Sequence, residues 1–165
     1  MGKKLLVIGA MLLAGWMMGL LHGVLSAIIP VIILKFALLG GLAFAMSALL
    51  KHSAEHTLGE KRPKALPLLG AALGACALWG SWCGWVWAAS SFDYFLALHP
   101  IALYDLVRGV TDNVEYTASS HGSQVAVSRA SVRAAWLLEA ITIGASPVLA
   151  GIFAAWGEER KDWGI

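Results

Sequence analysis

The stretch that decides the fold runs from Leu5 to Leu50 and reads LLVIGAMLLAGWMMGLLHGVLSAIIPVIILKFALLGGLAFAMSALL. Over these 46 residues only His22 and Lys35 interrupt the apolar character. A single helix of that length would be roughly 69 Å long, more than twice the ~30 Å hydrocarbon core of a bilayer. The chain must therefore fold back. Ser26 and Pro30 mark the turn, because proline is tolerated in the first turn of a new helix.

The composition of the whole chain agrees with a lipid environment. Of its 165 residues 59% are apolar and 13% are charged, against about 25% charged in an ordinary globular domain. The mean hydropathy is +0.73. These values exclude a disordered chain and a secreted disulfide scaffold, and the net charge of +2 is too small to indicate a polyanionic partner such as nucleic acid. The sequence predicts an integral membrane protein.

Four stretches are long and apolar enough to cross a bilayer, so the predicted fold is an all-α membrane protein with one domain over residues 1–165. The spans are predicted at about 5–25, 30–50, 66–89 and 134–156. A cleavable signal peptide is the alternative for the first span. It is disfavoured because the apolar run is longer than the usual 7–15 residues and no small-residue cleavage site lies near Ser26.

Basic residues near the span ends predict the orientation, because cytoplasmic loops are enriched in Lys and Arg. Eight such residues fall on one side of the predicted bundle: Lys3, Lys4, Lys51, Lys61, Arg62, Lys64, Arg160 and Lys161. Four fall on the other side: Lys35, Arg108, Arg129 and Arg133. Both termini are therefore expected on the cytoplasmic side of an inner membrane, with the segment 90–133 outside.

The outer segment contains a predicted helix. Pro100 suits a first helical turn, and apolar residues recur after it at helical spacing while Asp105 and Arg108 face elsewhere. The recurring residues are Leu103, Leu106, Val107 and Val110. We predict a helix that lies in the membrane interface, with a re-entrant hairpin as the alternative. In the polar stretch 111–128 a short strand or hairpin at SQVAVS is a further option.

Glycines in the first and third spans are spaced for close helix packing. Removing side chains lets two helices approach each other, which favours association where lipid offers no hydrophobic driving force. The glycines are Gly15, Gly19 and Gly23 in the first span, and Gly70, Gly74, Gly80 and Gly84 in the third. Packing within the bundle is the favoured interpretation, and homo-oligomerisation is the alternative.

Glu139 is the residue most indicative of a site. It lies inside the apolar run AAWLLEAITIG, where a charged group costs about 2.5–3.5 kcal/mol at mid-helix and needs a polar partner. The predicted topology brings Lys35 and His22 to a similar depth on the outer side. We therefore predict a buried polar site of Glu139, Lys35 and His22, either a structural ion pair or a functional site. The alternative is that Lys35 snorkels outward while Glu139 pairs with Arg133 or is protonated.

Four tryptophans crowd the outer end of the third span: Trp79, Trp82, Trp85 and Trp87. Indole rings favour the membrane–water interface because they combine an apolar body with one N–H donor. An interfacial aromatic belt is therefore predicted, and a wall for stacking a ligand is the alternative.

Cysteines give no sign of redox chemistry. Cys76 and Cys83 are seven residues apart on one helix, so their Cα atoms should be about 10.5 Å apart, too far for a disulfide. No CxxC occurs, which argues against a thiol oxidase linked to quinone.

The histidines, like the cysteines, give little indication of a reaction. His52 and His56 share a helix face without a third metal ligand, and His22 and His99 could meet a haem or quinone near the outer surface. No Walker loop, dinucleotide fingerprint or GxSxG elbow occurs. No catalytic residue, metal or cofactor is therefore predicted.

The order of features resembles that of bacterial four-span integral membrane proteins of unknown function. The resemblance rests on WCGWVW (82–87), FDYFLALHPIALYDLV (92–107) and AWLLEA (135–140), and covers about the last two-thirds of the chain. The chain departs from it after Val110, where a glycine and an aromatic pair would be expected. The resemblance implies the topology and draws attention to Glu139, but it implies no reaction.

The expected function is that of a small non-enzymatic membrane subunit or accessory protein that associates with itself or with another membrane protein. A small transporter or channel that uses Glu139 with Lys35 or His22 is one alternative. A membrane enzyme or a haem or quinone carrier that uses the histidines is the other.

Overall fold

The structure is a computed structural model that describes residues 2–29, 32–57, 65–89, 98–113, 116–120, 123–127 and 129–162. It is predominantly helical. The helices are α1 (Gly2–Ile28), α2 (Ile32–Thr57), α3 (Leu66–Ala89), α4 (Pro100–Asn113) and α5 (Arg129–Asp162), and the strands are β1 (Tyr116–Ser120) and β2 (Ser123–Val127).

Four of the helices are long and apolar enough to cross a membrane, which confirms the predicted number of such segments. The qualifying ranges are Gly2–Ile28, Ile33–Ala54, Leu66–Ala88 and Arg133–Ala155. α1, α2 and α5 extend beyond the predicted bounds. In α5 the helix continues through Pro147, which is buried against α3. Proline is tolerated inside such helices because neighbouring groups can satisfy the backbone carbonyl that it releases.

α1 and α3 run parallel and touch backbone to backbone. Gly15 packs on Leu73, Gly19 on Ala77 and Gly23 on Ser81, so contacts advance in the same direction along both helices. A Cβ atom built at Gly19 would lie 2.7 Å from the carbonyl carbon of Ala77, where no side chain fits.

The contact between α1 and α3 is reciprocal. Gly80 and Gly84 of α3 are covered by the α1 backbone at Trp16 and Leu20. The two sets of glycines therefore interlock within one chain, as the favoured interpretation of the sequence predicted. These surfaces are already occupied and do not argue for self-association.

The opposite side of α3 packs on α5 in antiparallel fashion. Gly70 contacts Pro147 and Gly74 contacts Gly144, so positions that rise along α3 meet positions that fall along α5. At the end of this contact Gly151 packs on Leu66. α3 is thus the central helix of the bundle, held at backbone distance by α1 on one side and α5 on the other.

α2 joins this core through side chains. Residues at intervals of three or four form its buried stripe: Leu39, Leu42, Met46 and Leu50. They pack with Met11 of α1, Leu73 and Ala77 of α3, and Ile143 of α5. α2 meets its neighbours through leucine and methionine side chains, whereas α1 and α3 touch at glycines.

The predicted helix after Pro100 is present as α4. The His99 carbonyl accepts a hydrogen bond from the Leu103 amide at 2.9 Å, and the His99 side chain accepts a long one, 3.5 Å, from the Ala102 amide. His99 thus caps the helix. Leu103 is buried against Cys83 and Val86, and Asp105 is exposed as expected.

A two-stranded antiparallel sheet follows α4. β1 pairs with β2 in a register that places Tyr116 opposite Val127 and Ser120 opposite Ser123. The strand option at SQVAVS is therefore realised, in β2.

Candidate functional site

A polar cluster joins three helices inside the apolar bundle. His22 comes from α1, Ser81 from α3 and Glu139 from α5. Ser81 Oγ lies 2.9 Å from Glu139 Oε1 and 3.1 Å from His22 Nδ1, and His22 Nδ1 lies 3.5 Å from Glu139 Oε1. The three side chains therefore form a closed triangle, which we call the polar triad.

The hydrogen bonds of the polar triad have a definite order. The Ser81 hydroxyl donates to Glu139 Oε1, and with its single hydrogen used in this way its oxygen accepts from His22 Nδ1–H. This network assigns the Nδ1 hydrogen of His22. Every donor that faces the centre of the triangle then has an acceptor, which a polar group in a medium without water requires.

Glycine packing is what makes the triad geometrically feasible. Serine has the shortest hydroxyl side chain, so it can bridge two other helices only where the backbones are close. Gly23 supplies that closeness, because the Ser81 backbone lies against it one residue from His22. On the other side Gly74 and Gly144 bring α3 and α5 together two turns away.

Burial within the polar triad is uneven. Ser81 is 1% exposed and the His22 side chain 5%, whereas the Glu139 side chain is 26% exposed. Glu139 is therefore the member through which the triad meets its surroundings.

The triad contains the residue types of a serine hydrolase but not their arrangement. In a hydrolase the imidazole stands between serine and acid and uses one nitrogen for each. Here a single nitrogen, Nδ1 of His22, faces both partners, and the serine hydroxyl donates to the carboxylate. The imidazole is therefore not placed to take the proton of this hydroxyl, as the histidine of a serine hydrolase does.

Lys35, the third member of the predicted polar site, does not belong to the triad. It lies on the inward stripe of α2, one turn before the buried Leu39, and is half-buried. Between the described side chains of Lys35 and Glu139 there is no ion pair within 4.0 Å, and His22 takes that place. The predicted pairing of Lys35 with Glu139 therefore needs correction. A similar depth along two helices does not fix their relative rotation, which decides whether two side chains meet.

Ser81 was absent from the prediction, although the sequence contained a signal. It is the one hydroxyl-bearing residue in Leu66–Ala89, and it adjoins Gly80 in a glycine-spaced stretch. A lone polar side chain next to a close-packing motif marks a place where it can reach a neighbouring helix.

Two of the four tryptophans of the predicted aromatic belt pack against tryptophans of other helices. Trp79 packs edge-on against Trp16 with ring centroids 6.2 Å apart, and Trp85 packs against Trp136 at 5.1 Å. Trp87 is exposed, as a belt residue would be. Trp82 is half-buried and packs on the cluster around Cys83.

The aromatic pairs flank the polar triad along the helix axes. Trp85 follows Ser81 by four residues and Trp136 precedes Glu139 by three, so this pair lies one turn beyond the triad. The indole nitrogens of Trp16 and Trp79 are buried, and within the described part of the chain neither has a hydrogen-bond partner. The triad is thus bordered by large aromatic rings along the helix axes.

Neither cysteine, and neither of the other two histidines whose side chains the structure describes, joins the triad. Cys76 and Cys83 are both thiols, half-buried and buried. His99 caps α4, His52 is exposed, and the side chain of His56 lies outside the described residues. No group of three His, Cys, Asp or Glu side chains suited to a metal occurs among the described residues.

Comparison with known proteins adds no relative: no family model, curated protein or solved structure matches the chain. What the fold itself defines is a helical bundle with four segments of membrane-spanning length and composition.

Proposed function

We propose that this protein is a multi-pass bacterial inner-membrane protein that acts as a non-enzymatic structural or accessory subunit and associates with a second copy of itself. A lipid setting is supported by the outward faces of all four long helices, which carry large apolar side chains. Ile33 is 81% exposed and Phe44 is 77% exposed. A water-soluble monomer rarely leaves so much apolar surface uncovered.

The observation that carries self-association is the outward face of α2. Gly40 and Gly41 are exposed, and among the described residues no atom lies within 4 Å of a Cβ built at either. The glycines of α3, and Gly15, Gly19 and Gly23 of α1, face neighbouring helices, whereas Gly40 and Gly41 expose bare backbone between Phe36 and Phe44. Small residues in this setting allow a second helix to approach closely, and a copy of α2 would present the same surface.

Gly41→Leu is expected to reduce the native mass of the protein in mild detergent from that of an oligomer to that of a monomer. The added side chain finds space within the chain, so the fold is retained, but it holds a second copy away. Gly9→Leu is the matched control, because Gly9 is also exposed with no described atom within 4 Å of its Cβ position. A monomeric wild type, or equal masses for both variants, would contradict self-association through α2.

The orientation is a separate expectation, supported by the distribution of basic residues. In a background with Cys76→Ala and Cys83→Ala, a membrane-impermeant maleimide should label Asp105→Cys in intact cells. Lys3→Cys should react only after permeabilisation, since Lys3 is expected on the cytoplasmic side. Both native side chains are exposed, so accessibility within the protein does not limit either reaction. The opposite pattern would reverse the orientation.

A small transporter is the second candidate, and the polar triad is the observation that favours it. A carboxylate that is 26% exposed inside an apolar bundle is the kind of group that binds an ion in a membrane pathway. If the protein is a transporter, ion flux into lipid vesicles with the purified protein in their membrane should be lost in Glu139→Gln. The flux should be kept in Lys35→Gln, since Lys35 lies outside the triad.

A further inference from the structure

The polar triad has the connectivity of a proton-conducting unit. Ser81 stands between its two ionisable members, accepting from His22 at 3.1 Å and donating to Glu139 at 2.9 Å. The direct approach of His22 Nδ1 to Glu139 Oε1 is longer, 3.5 Å. A hydroxyl that accepts on one side and donates on the other can transfer a proton without changing its own composition.

We propose that His22, Ser81 and Glu139 bind one proton as a unit. The proton exchanges with the surroundings at Glu139, whereas the buried His22 end of the unit does not exchange. The inference goes beyond the proposed subunit role and does not depend on self-association. It rests on the order of the hydrogen bonds together with the gradient of exposure from Glu139, at 26%, to His22, at 5%, and Ser81, at 1%.

The internal transfer balances in atoms and charge. With the imidazolium and the carboxylate as the starting pair, the Nδ1–H bond of His22 breaks as its proton joins Ser81 Oγ. At the same time the original Ser81 O–H bond breaks, and its proton joins Glu139 Oε1. The products are a neutral imidazole, an unchanged serine and a neutral carboxylic acid. No other reactant is needed, and the net charge of the unit stays zero.

The apolar setting favours the state with one shared proton. Without that proton the unit carries one negative charge, and with a second it carries one positive charge. Either state places an uncompensated charge among apolar helices, which is expensive. In the described spans Glu139 is the one acidic residue, so no other carboxylate competes for the proton.

Groups on the surrounding helices can influence this equilibrium. By position along each element, the other described titratable or charged groups toward the triad's end of the bundle are Lys35 on α2, Cys76 and Cys83 on α3, Tyr104, Asp105 and Arg108 on α4, and Arg133 on α5. Lys35 lies on the inward stripe of α2 and is half-buried. Lys35→Gln therefore belongs in the experiment as a test for a purely electrostatic effect.

The first test measures coupling between the two ionisable groups. Infrared titration of the protonated carboxyl band, assigned by its loss in Glu139→Gln, should shift its midpoint in His22→Asn, because two groups that share one proton titrate as a pair. Lys35→Gln should give a smaller shift. An identical single-step titration in wild type and His22→Asn would overturn the proposal.

The second test measures the route of the proton. After a pH jump, the ¹⁵N signal of His22, assigned by its loss in His22→Asn, should respond about tenfold more slowly in Ser81→Ala than in wild type. Ser47→Ala is the matched control, because it removes a hydroxyl that donates only to the Ala43 carbonyl of its own helix. Glu139→Gln should slow the response as well, since it removes the exchanging group while keeping the acceptor oxygen.

Both tests have decisive outcomes. Native mass and helical circular dichroism establish that each variant is folded before it is titrated. If Ser81→Ala does not fold, the Glu139→Gln comparison tests the same route. Unchanged rates in whichever of these variants fold would show that His22 reaches water by another path and would overturn the proposal.

Discussion

Gly19→Leu is expected to lower the free energy of unfolding by at least about 3 kcal/mol, the upper end of the range for overpacked interiors. The reason is that Gly19 faces backbone and not a flexible side chain. A Cβ at this position would lie 2.7 Å from the Ala77 carbonyl carbon, and α3 cannot withdraw without losing its contacts at Gly15 and Gly23. The measurement is the loss of helical signal on titration with a denaturing detergent.

Gly9→Leu supplies the control for this prediction. It adds the same side chain to the same helix, and its Cβ position has no described atom within 4 Å. Its stability should stay within about 0.5 kcal/mol of wild type, as is usual for surface substitutions. Equal destabilisation by the two substitutions would mean that backbone contact between α1 and α3 does not hold the bundle together.

Glu139→Ala is expected to lower the free energy of unfolding by about 2 kcal/mol. The substitution removes two contacts between helices, to Ser81 and to His22, and each is worth on the order of 1 kcal/mol. The Ser81 hydroxyl would also be left without its acceptor in an apolar interior. Glu139→Gln keeps an oxygen at the Oε1 position and should cost less than half as much. Detergent-induced unfolding measures both.

A double-mutant cycle sharpens the second prediction. If the triad acts as one network, the losses in unfolding free energy from Ser81→Ala and Glu139→Ala should not add. The double variant should lose less than the sum of the two single losses, by about 0.5 kcal/mol or more. Strict additivity would show that Ser81 and Glu139 stabilise the bundle independently, in spite of their 2.9 Å contact.

Different parts of the candidate site were accessible to sequence reasoning to different degrees. Glu139 and His22 could be singled out because polar residues in long apolar runs are costly wherever the helices pack. Lys35 was assigned to the site by depth along its helix, and depth alone does not give the rotation or distance of a neighbour. Ser81 was missed because a serine carries no charge penalty to attract attention.

The tryptophans show the same difference between what the sequence predicts and what helix packing decides. Composition places indole rings near the membrane surface, and Trp87 is exposed as that rule suggests. Composition does not reveal that Trp79 packs against Trp16 or that Trp85 packs against Trp136, since each partner comes from a distant part of the chain. Those pairings depend on which face of α3 turns toward α1 and which turns toward α5.

The sequence by itself determined the number of long apolar helices, the helix after Pro100 and the close-packing glycines. Each of these follows from local hydrophobicity, proline geometry or the absence of a side chain. Only the tertiary structure decided that α3 is the central helix, that His22 and not Lys35 meets Glu139, and that Ser81 joins them. These outcomes depend on the relative rotation and spacing of helices, which are set by packing many residues at once and are not encoded in any single span.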